Sequence, residues 1–454
     1  MTRFRYAAAT LAAATVGCNL TPPYERPAAP VAATFPGETA AASGRRAVDI
    51  AWREFFSDER LRRIIELALQ NNRDLRVAVL RIEEARGLYR IQAADLLPAV
   101  SGAASVSRTG GAVDSTQYQV GVGVAAYELD VFGRVRNLTG ASLAQYLAVG
   151  ETQRTLQLGL VSQVAKSYLA ERGFAEQLEL ARRALATREK SLELTRQRFD
   201  AGASSALELR QAQSLVEAAR ASVASLSRQQ AQAMNALVLL AGTPLADLPP
   251  ARPLGAQLLA ADIGAGLPSD LLLSRPDIRA AEQRLIASNA NIGAARAAFF
   301  PRISLTASLG TASGELSGLF GAGTGVWSFV PQLVLPIFTA GANQANLDVA
   351  EARKNIAVAQ YEQAIQIAFR EVADALAARD AVGQELAAQT RLRDAERERV
   401  KLTEQLYKGG VAGSLDYLDA QRQLFAAEQG MVQAQVLRDT SAVDLYSALG
   451  GGLK

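Results

Sequence analysis

The chain has no histidine and one cysteine among its 454 residues. Without an imidazole there is no His base for a hydrolytic triad, no His-ligated zinc and no histidine pH switch. One thiol makes neither an internal disulfide nor a Cys-rich metal site, so packing or assembly must hold the fold. Aromatic residues are scarce at 6% although hydrophobic residues reach 49%, so small aliphatic side chains, chiefly Ala, supply the apolar content and suit closely packed helices. Neither sign of charge dominates: 48 Lys and Arg face 45 Asp and Glu, for a net +3. That mixture lacks the basic stripe of a nucleic-acid binder, and the pI of 9.0 follows from having no His to titrate near neutrality. No constellation of nucleophile, base and oxyanion donors appears, no metal or cofactor site is expected, and no GxxxxGK[ST] loop cradles a phosphate. The expectation is a protein that is not an enzyme and draws its energy from a partner.

The N-terminus reads as a processing signal over residues 1–17. Arg3 and Arg5 precede an apolar stretch from Tyr6 to Val16 that is too short to cross a bilayer, which takes ~20 residues. Cys18 follows in the string TVGC, which resembles a bacterial lipobox with Thr15 where Leu is usual. A covalent lipid on Cys18 would tether the protein without a membrane-crossing helix, since acyl chains contribute ~0.8 kcal/mol per buried CH₂. Asn19, standing where an Asp would favour inner-membrane retention, resembles the outer-membrane case. Residues 18–60, rich in Pro at their start, read as an extended strap. No later window holds 18 consecutive apolar residues, so no transmembrane helix is expected.

The chain repeats itself. At an offset of 203, Asp74 aligns with Asp277, Arg76 with Arg279, and Pro98 with Pro301. At 208, Phe199 aligns with Tyr407, Gly202 with Gly410, Leu207 with Leu415, and Gly242 with Gly450. Each half opens with a helical segment, within 61–97 (with a break near Asn71) and 242–300, stopped by Pro98 or Pro301. Period-2 hairpins follow at 98–130 and 301–338. Tyr118, Val120, Val122 and Val124 alternate with Gln and Gly; Ile303, Leu305, Ala307 and Leu309 alternate with Ser and Thr; Trp327, Phe329, Leu333 and Leu335 share one face. Such strands, apolar on one side and wet on the other, carry the weak signature of an outer-membrane barrel, the alternative being an ordinary helix-covered sheet. Four strands are too few to close and a bilayer tolerates no open edge, so strands that meet lipid must be pooled between copies. Two copies would give eight strands, three would give twelve.

Very long helical hairpins complete each half, at 131–241 and 339–452. Their first arms, from Arg134 to about Arg198 and from Ala342 to about Leu406, would each reach ~100 Å at 1.5 Å per residue. Leu178, Leu185, Leu192 and Phe199 recur at spacing seven, as a coiled-coil seam requires. Glycine-containing turns at 200–205 and 408–413 reverse the chain, with Gly202, Gly409 and Gly410 as candidate left-handed residues.

The strings YELDVFGRVRN, RFDAGASSALELRQAQ, LLLSRPDIRAAEQRL, LPIFTAGANQA and SLDYLDAQRQLFAAEQ, with a terminal LYSALGGG, resemble the TolC-type outer-membrane factors, in particular the OprM/NodT-like lipoprotein branch. The resemblance implies a mainly α fold with a small β part and an internal two-fold repeat. It implies a homotrimer whose twelve-stranded outer-membrane β-barrel continues into a periplasmic α-helical coiled-coil barrel. It also implies a periplasmic adaptor and an inner-membrane RND-type transporter as partners, and hence a passive efflux duct for drugs and small toxic molecules. Two other readings stand beside this one: an exit duct for ABC-driven (type I) protein export, and a non-porous structural envelope lipoprotein.

The two repeats differ just after their turns. Glu208 aligns with Asp416, Gln211 with Asp419 and Ser214 with Arg422. Leu415, Asp419 and Arg422 share a helical face with Asp416 one turn before Asp419, a pattern that fits a solvated face as well as a gate. By resemblance, Leu415, Asp416, Asp419 and Arg422 line a constricted periplasmic aperture with Glu208 in its bonding network. The turns at Gly202, Gly409 and Gly410 then dock the adaptor as well as reversing the chain. Trp327 and Phe338 fit interfacial aromatics.

Overall fold

A computed structural model describes residues 19–35, 45–111, 114–254, 259, 263–264 and 268–453. Cys18 and the signal segment lie outside the described residues. Among the described residues the chain is mainly helical, with one four-stranded and one two-stranded sheet. In order its elements are β1 (Arg45–Arg46), α1 (Trp52–Phe55), α2 (Glu59–Asn71), α3 (Arg73–Ala94), β2 (Val100–Thr109), β3 (Ser115–Leu129), α4 (Arg134–Asp200) and α5 (Ala206–Ala241). The second half supplies β4 (Ile263–Gly264), α6 (Pro268–Ser274), α7 (Pro276–Ala297), β5 (Arg302–Ser313), β6 (Gly325–Val334), α8 (Ala342–Lys408) and α9 (Ser414–Ala448). These fall into two compact units. One holds residues up to Pro30, Val79–Thr152 and Asp277–Ala364; the other holds Val31–Ala78, Gln153–Pro276 and Ile365–Lys454.

The first unit contains an antiparallel sheet of order β2-β3-β5-β6. Register carries the sequence alternation across it: Val122 pairs with Leu309 and Leu309 with Trp327, while Val124 pairs with Ala307 and Ala307 with Phe329. One face is thus a continuous apolar row. Val122, Leu309, Trp327, Phe329 and Leu333 are all more than half exposed. On the other face Ser308 meets Ser328, hydroxyl to hydroxyl, at 2.7 Å. Gly121, Gly123 and Gly310 also lie there, and a Cβ on any of them would run into a carbonyl of the adjacent strand, so the strands approach more closely than side chains allow. A bulge sets Ala125 and Ala126 opposite Thr306. Ala126 takes φ 51° and donates its N–H to Thr306 Oγ1 at 3.2 Å.

The second unit is built on the coiled coils and a compact aromatic core. Ile50, Phe55, Phe56, Leu61, Ile65, Tyr168 and Tyr446 are almost fully buried. Phe55 stacks on Tyr446 with centroids 4.0 Å apart, and the Tyr446 hydroxyl donates to Ile50 O at 2.6 Å. The extended strap therefore stops well short of residue 60, because Trp52, Phe55 and Phe56 give the chain enough apolar area to fold into this core. The break between α2 and α3 is Asn72, whose side chain caps Leu75 N and binds Leu240 O. Gly242 closes α5 at φ 68°, packed so tightly against the backbone of Asn71 and Asn72 that only glycine fits.

The heptad seam is real at one end and loosens toward the turn. Leu178 is 3% exposed and packs with Ala181, Leu226, Val223 and Phe425, whereas Phe199 is 37% exposed. Between them the buried Arg188 lies over the Phe425 ring at 5.4 Å and donates to Leu215 O; burial draws its guanidinium below the usual range.

Candidate functional site

Both hairpin turns lie in the second unit, and their glycines differ in role. Gly202 and Gly410 take φ 75° and 73°, the left-handed conformation a helix reversal requires. Gly409 does not. Its φ is outside that region, and a Cβ there would meet Gln405 O at 3.4 Å, an ordinary contact, so it does not share the requirement expected of it.

The helices leaving the turns start differently. Ser205 caps α5 in a full capping box with Glu208: Glu208 N donates to Ser205 Oγ and Ser205 N donates to the Glu208 carboxylate, each at 3.2 Å. In the second repeat Gly413 occupies the cap position and offers no side chain. Ser414 instead donates across to Glu208 Oε1 at 2.9 Å. Glu208, which also accepts from Ser204, thus caps its own helix and ties the first turn of α9 to it. The Ser204 and Ser414 hydroxyls and the Ser205 N–H hold the Glu208 carboxyl below its ordinary range.

Asp419 lies between two guanidiniums. Arg422 Nη2 reaches its Oδ1 at 2.5 Å along α9, and Arg399 Nη2 of α8 reaches its Oδ2 at 2.8 Å. These bonds, led by that from Arg399, lower the Asp419 pKa. Leu415 is 62% exposed beside them. Asp416 lies at the start of α9 close to Gly413, and Glu208 bonds to Ser414 rather than to Arg422. The structure therefore brings Asp419 and Arg422 together and joins Glu208 to the same helix through Ser414.

A second link joins the two hairpins: Arg198 donates to the Tyr407 hydroxyl at 2.8 Å and lies over its ring, and Tyr407 stacks on Tyr417 with centroids 5.7 Å apart. These tyrosines, with Leu194, Glu208, Glu404 and Ser414, line a cleft of 260 Å³. Spacing within one helix did not reveal Arg399, Ser414, Arg198 or Tyr407. Set against the first repeat, Arg399 stands opposite Ser191, Ser414 opposite Ala206 and Tyr407 opposite Phe199, differences that do not say which helix each one reaches.

Comparison with known proteins decides the family. The model of the outer membrane efflux protein family matches residues 64–243 and again 267–451, one match for each repeat. This chain belongs to the outer membrane efflux protein family. It is 49% identical to the outer membrane protein OprJ of Pseudomonas aeruginosa over 98% of this chain and 95% of that protein. The same identity links it to the toluene efflux pump outer membrane protein TtgF of Pseudomonas putida, over 98% and 96% of the two chains. Among solved structures it is similar to the open state of the Neisseria gonorrhoeae MtrE outer membrane channel, with TM-score 0.91 and 45% identity over 96% of this chain and 99% of that one. As an outer membrane efflux protein it is a channel of the outer membrane with periplasmic helices, in a family defined by export rather than catalysis.

Proposed function

We propose that three copies of this chain form the passive exit duct of a tripartite efflux system for small apolar or amphipathic toxic molecules. The observation that carries the reading is the four-stranded sheet, whose outer strands β2 and β6 have no further strand beside them among the described residues and whose Val122, Leu309, Trp327 and Leu333 face is apolar and exposed. Open edges are not viable in hydrocarbon, so copies join edge to edge, and three supply twelve strands. The polar and glycine-rich face then lines a wet bore, and the long helices extend it into the periplasm. Relatives named for efflux of toluene, solvents and antibiotics support small-molecule cargo.

In this account Cys18 carries a covalent lipid that tethers the chain to the outer membrane, the turns at Gly202, Gly409 and Gly410 meet a periplasmic adaptor, and an inner-membrane RND-type transporter supplies the energy. Leu415, Asp416, Asp419 and Arg422, repeated around the axis, narrow the periplasmic mouth. Arg399 and the Glu208–Ser414 bond hold α9 at the spacing that keeps it narrow. The test is the oligomeric state in detergent, by light scattering, followed by conductance in planar bilayers. Trimers that conduct support the duct; monomers, or trimers that never conduct, overturn it.

A further inference from the structure

Residues 19–30, in the first unit, contain Pro22, Pro23, Pro27 and Pro30 and belong to no helix or sheet, yet they are fastened along α7. Leu20 O accepts from Arg296 at 3.5 Å, Pro22 O accepts from Asn289 Nδ2 at 2.8 Å, and Glu282 receives Tyr24 OH at 3.0 Å and Arg26 Nε and Nη2 at 2.7 and 3.0 Å. The spacing is commensurate. Six residues of extended strap from Leu20 to Arg26 span about 20 Å, and the fourteen helical residues from Arg296 back to Glu282 rise about 21 Å. The strap therefore runs antiparallel to α7 at full extension.

The helix side is shaped for it. Thr21 Oγ1 donates to Asn137 Oδ1 at 2.7 Å over Gly293, and a Cβ at Gly293 would collide with both side chains. Asn289 and Glu282 are 3% and 8% exposed. Glu282 accepts its three hydrogen bonds from the strap, so an undocked strap would strip a carboxylate in this groove of those donors, a costly state. Burial and Glu282 together also push the Tyr24 phenol well above its ordinary range.

We propose that the Gly293 slot, Asn289 and Glu282 form a receptor for the mature N-terminal strap, accepting an extended segment with a hydroxyl residue, a Pro carbonyl and an aromatic–x–Arg end. Glu282 is its specificity-determining positioning residue. The seat holds Leu20 beside Arg296, at the end of α7 from which the chain leads into β5. This extends the duct reading, in which β5 meets the membrane, by fixing the height of the anchor-bearing end.

The test uses the purified full chain in detergent and follows chymotrypsin cleavage after Tyr24 by mass spectrometry, beside helical melting and oligomer size. Glu282→Gln and Arg26→Gln are each expected to speed cleavage about tenfold or more, as loss of a charge-assisted bond implies, with melting and oligomer size unchanged. The exchanged pair, Arg26→Glu with Glu282→Arg, is expected to recover most of the protection. Cleavage at the wild-type rate in a folded Glu282→Gln overturns the receptor. If Glu282→Gln fails to fold, Tyr24→Phe, read with elastase after Ala28, decides: faster cleavage supports the seat and an unchanged rate overturns it. None of these readouts needs conductance, so the receptor and the duct fail separately.

Discussion

Arg399 of α8 and Asp419 of α9 are joined Nη2 to Oδ2 at 2.8 Å, which makes Arg399 the link that holds the Asp419 carboxylate to a second helix. Arg422 pairs with the same carboxylate three residues along its own helix and does nothing to fix α9 against α8. Arg399→Ala should therefore raise single-channel conductance more than Arg422→Ala does. Equal effects would mean that ring charge, rather than helix position, sets the mouth.

Glu208 should give this end of the molecule a pH dependence whose sign follows from the hydrogen bonds its carboxylate accepts. Its folded pKa is depressed, so its contribution is full above the unfolded value of about 4.3 and fades as pH falls through the lower folded value. Conductance should rise reversibly as the periplasmic side is acidified through the lowered folded value of Glu208, and Glu208→Gln should already conduct more at pH 7 and lose most of that rise.

The three turn glycines should part company under substitution. Gly202→Ala and Gly410→Ala force a side chain into the left-handed region, at a cost of about 1–2 kcal/mol each. Gly409→Ala should be near neutral. Comparing adaptor binding and drug resistance across the three, with trimer yield as the control, separates strain in the turn from a lost docking contact.

Asp439 should behave opposite to Glu208. It is 3% exposed, its Oδ2 has no hydrogen-bond partner, and burial raises its pKa although Arg438 opposes the shift. A carboxyl with a raised folded pKa favours the fold at low pH and loses that contribution as pH rises through its folded value. Asp439→Asn should consequently raise Tm at pH 7 by a few degrees, with the difference closing below about pH 4. Thermal melts at the two pH values check it.

What was legible in the sequence was what leaves a period or a break. The alternation of Val120, Val122 and Val124 placed a strand, Pro98 and Pro301 stopped helices, and Gly202 and Gly410 marked reversals. Bonds between distant helices leave no such trace: Arg399 reads as one charge among many in RLRDAERERVK until α9 is laid beside it. The strap was legible as extended because of its prolines, but its seat was not, since Gly293, Asn289 and Glu282 look like any helix residues. Arg188 runs against hydrophobic patterning altogether, buried in the seam because Phe425 offers its ring and Leu215 its carbonyl. Gly409 and Gly410 look alike in sequence, and only backbone geometry tells which of the two is left-handed.

The most direct test of the duct closed at its periplasmic mouth is single-channel recording from purified trimers of wild type and of the triple variant Arg399→Ala, Asp419→Ala, Arg422→Ala. The account predicts small, rare openings for wild type and a several-fold larger, sustained conductance for the variant. Identical traces from the two, or no current from either, would contradict it.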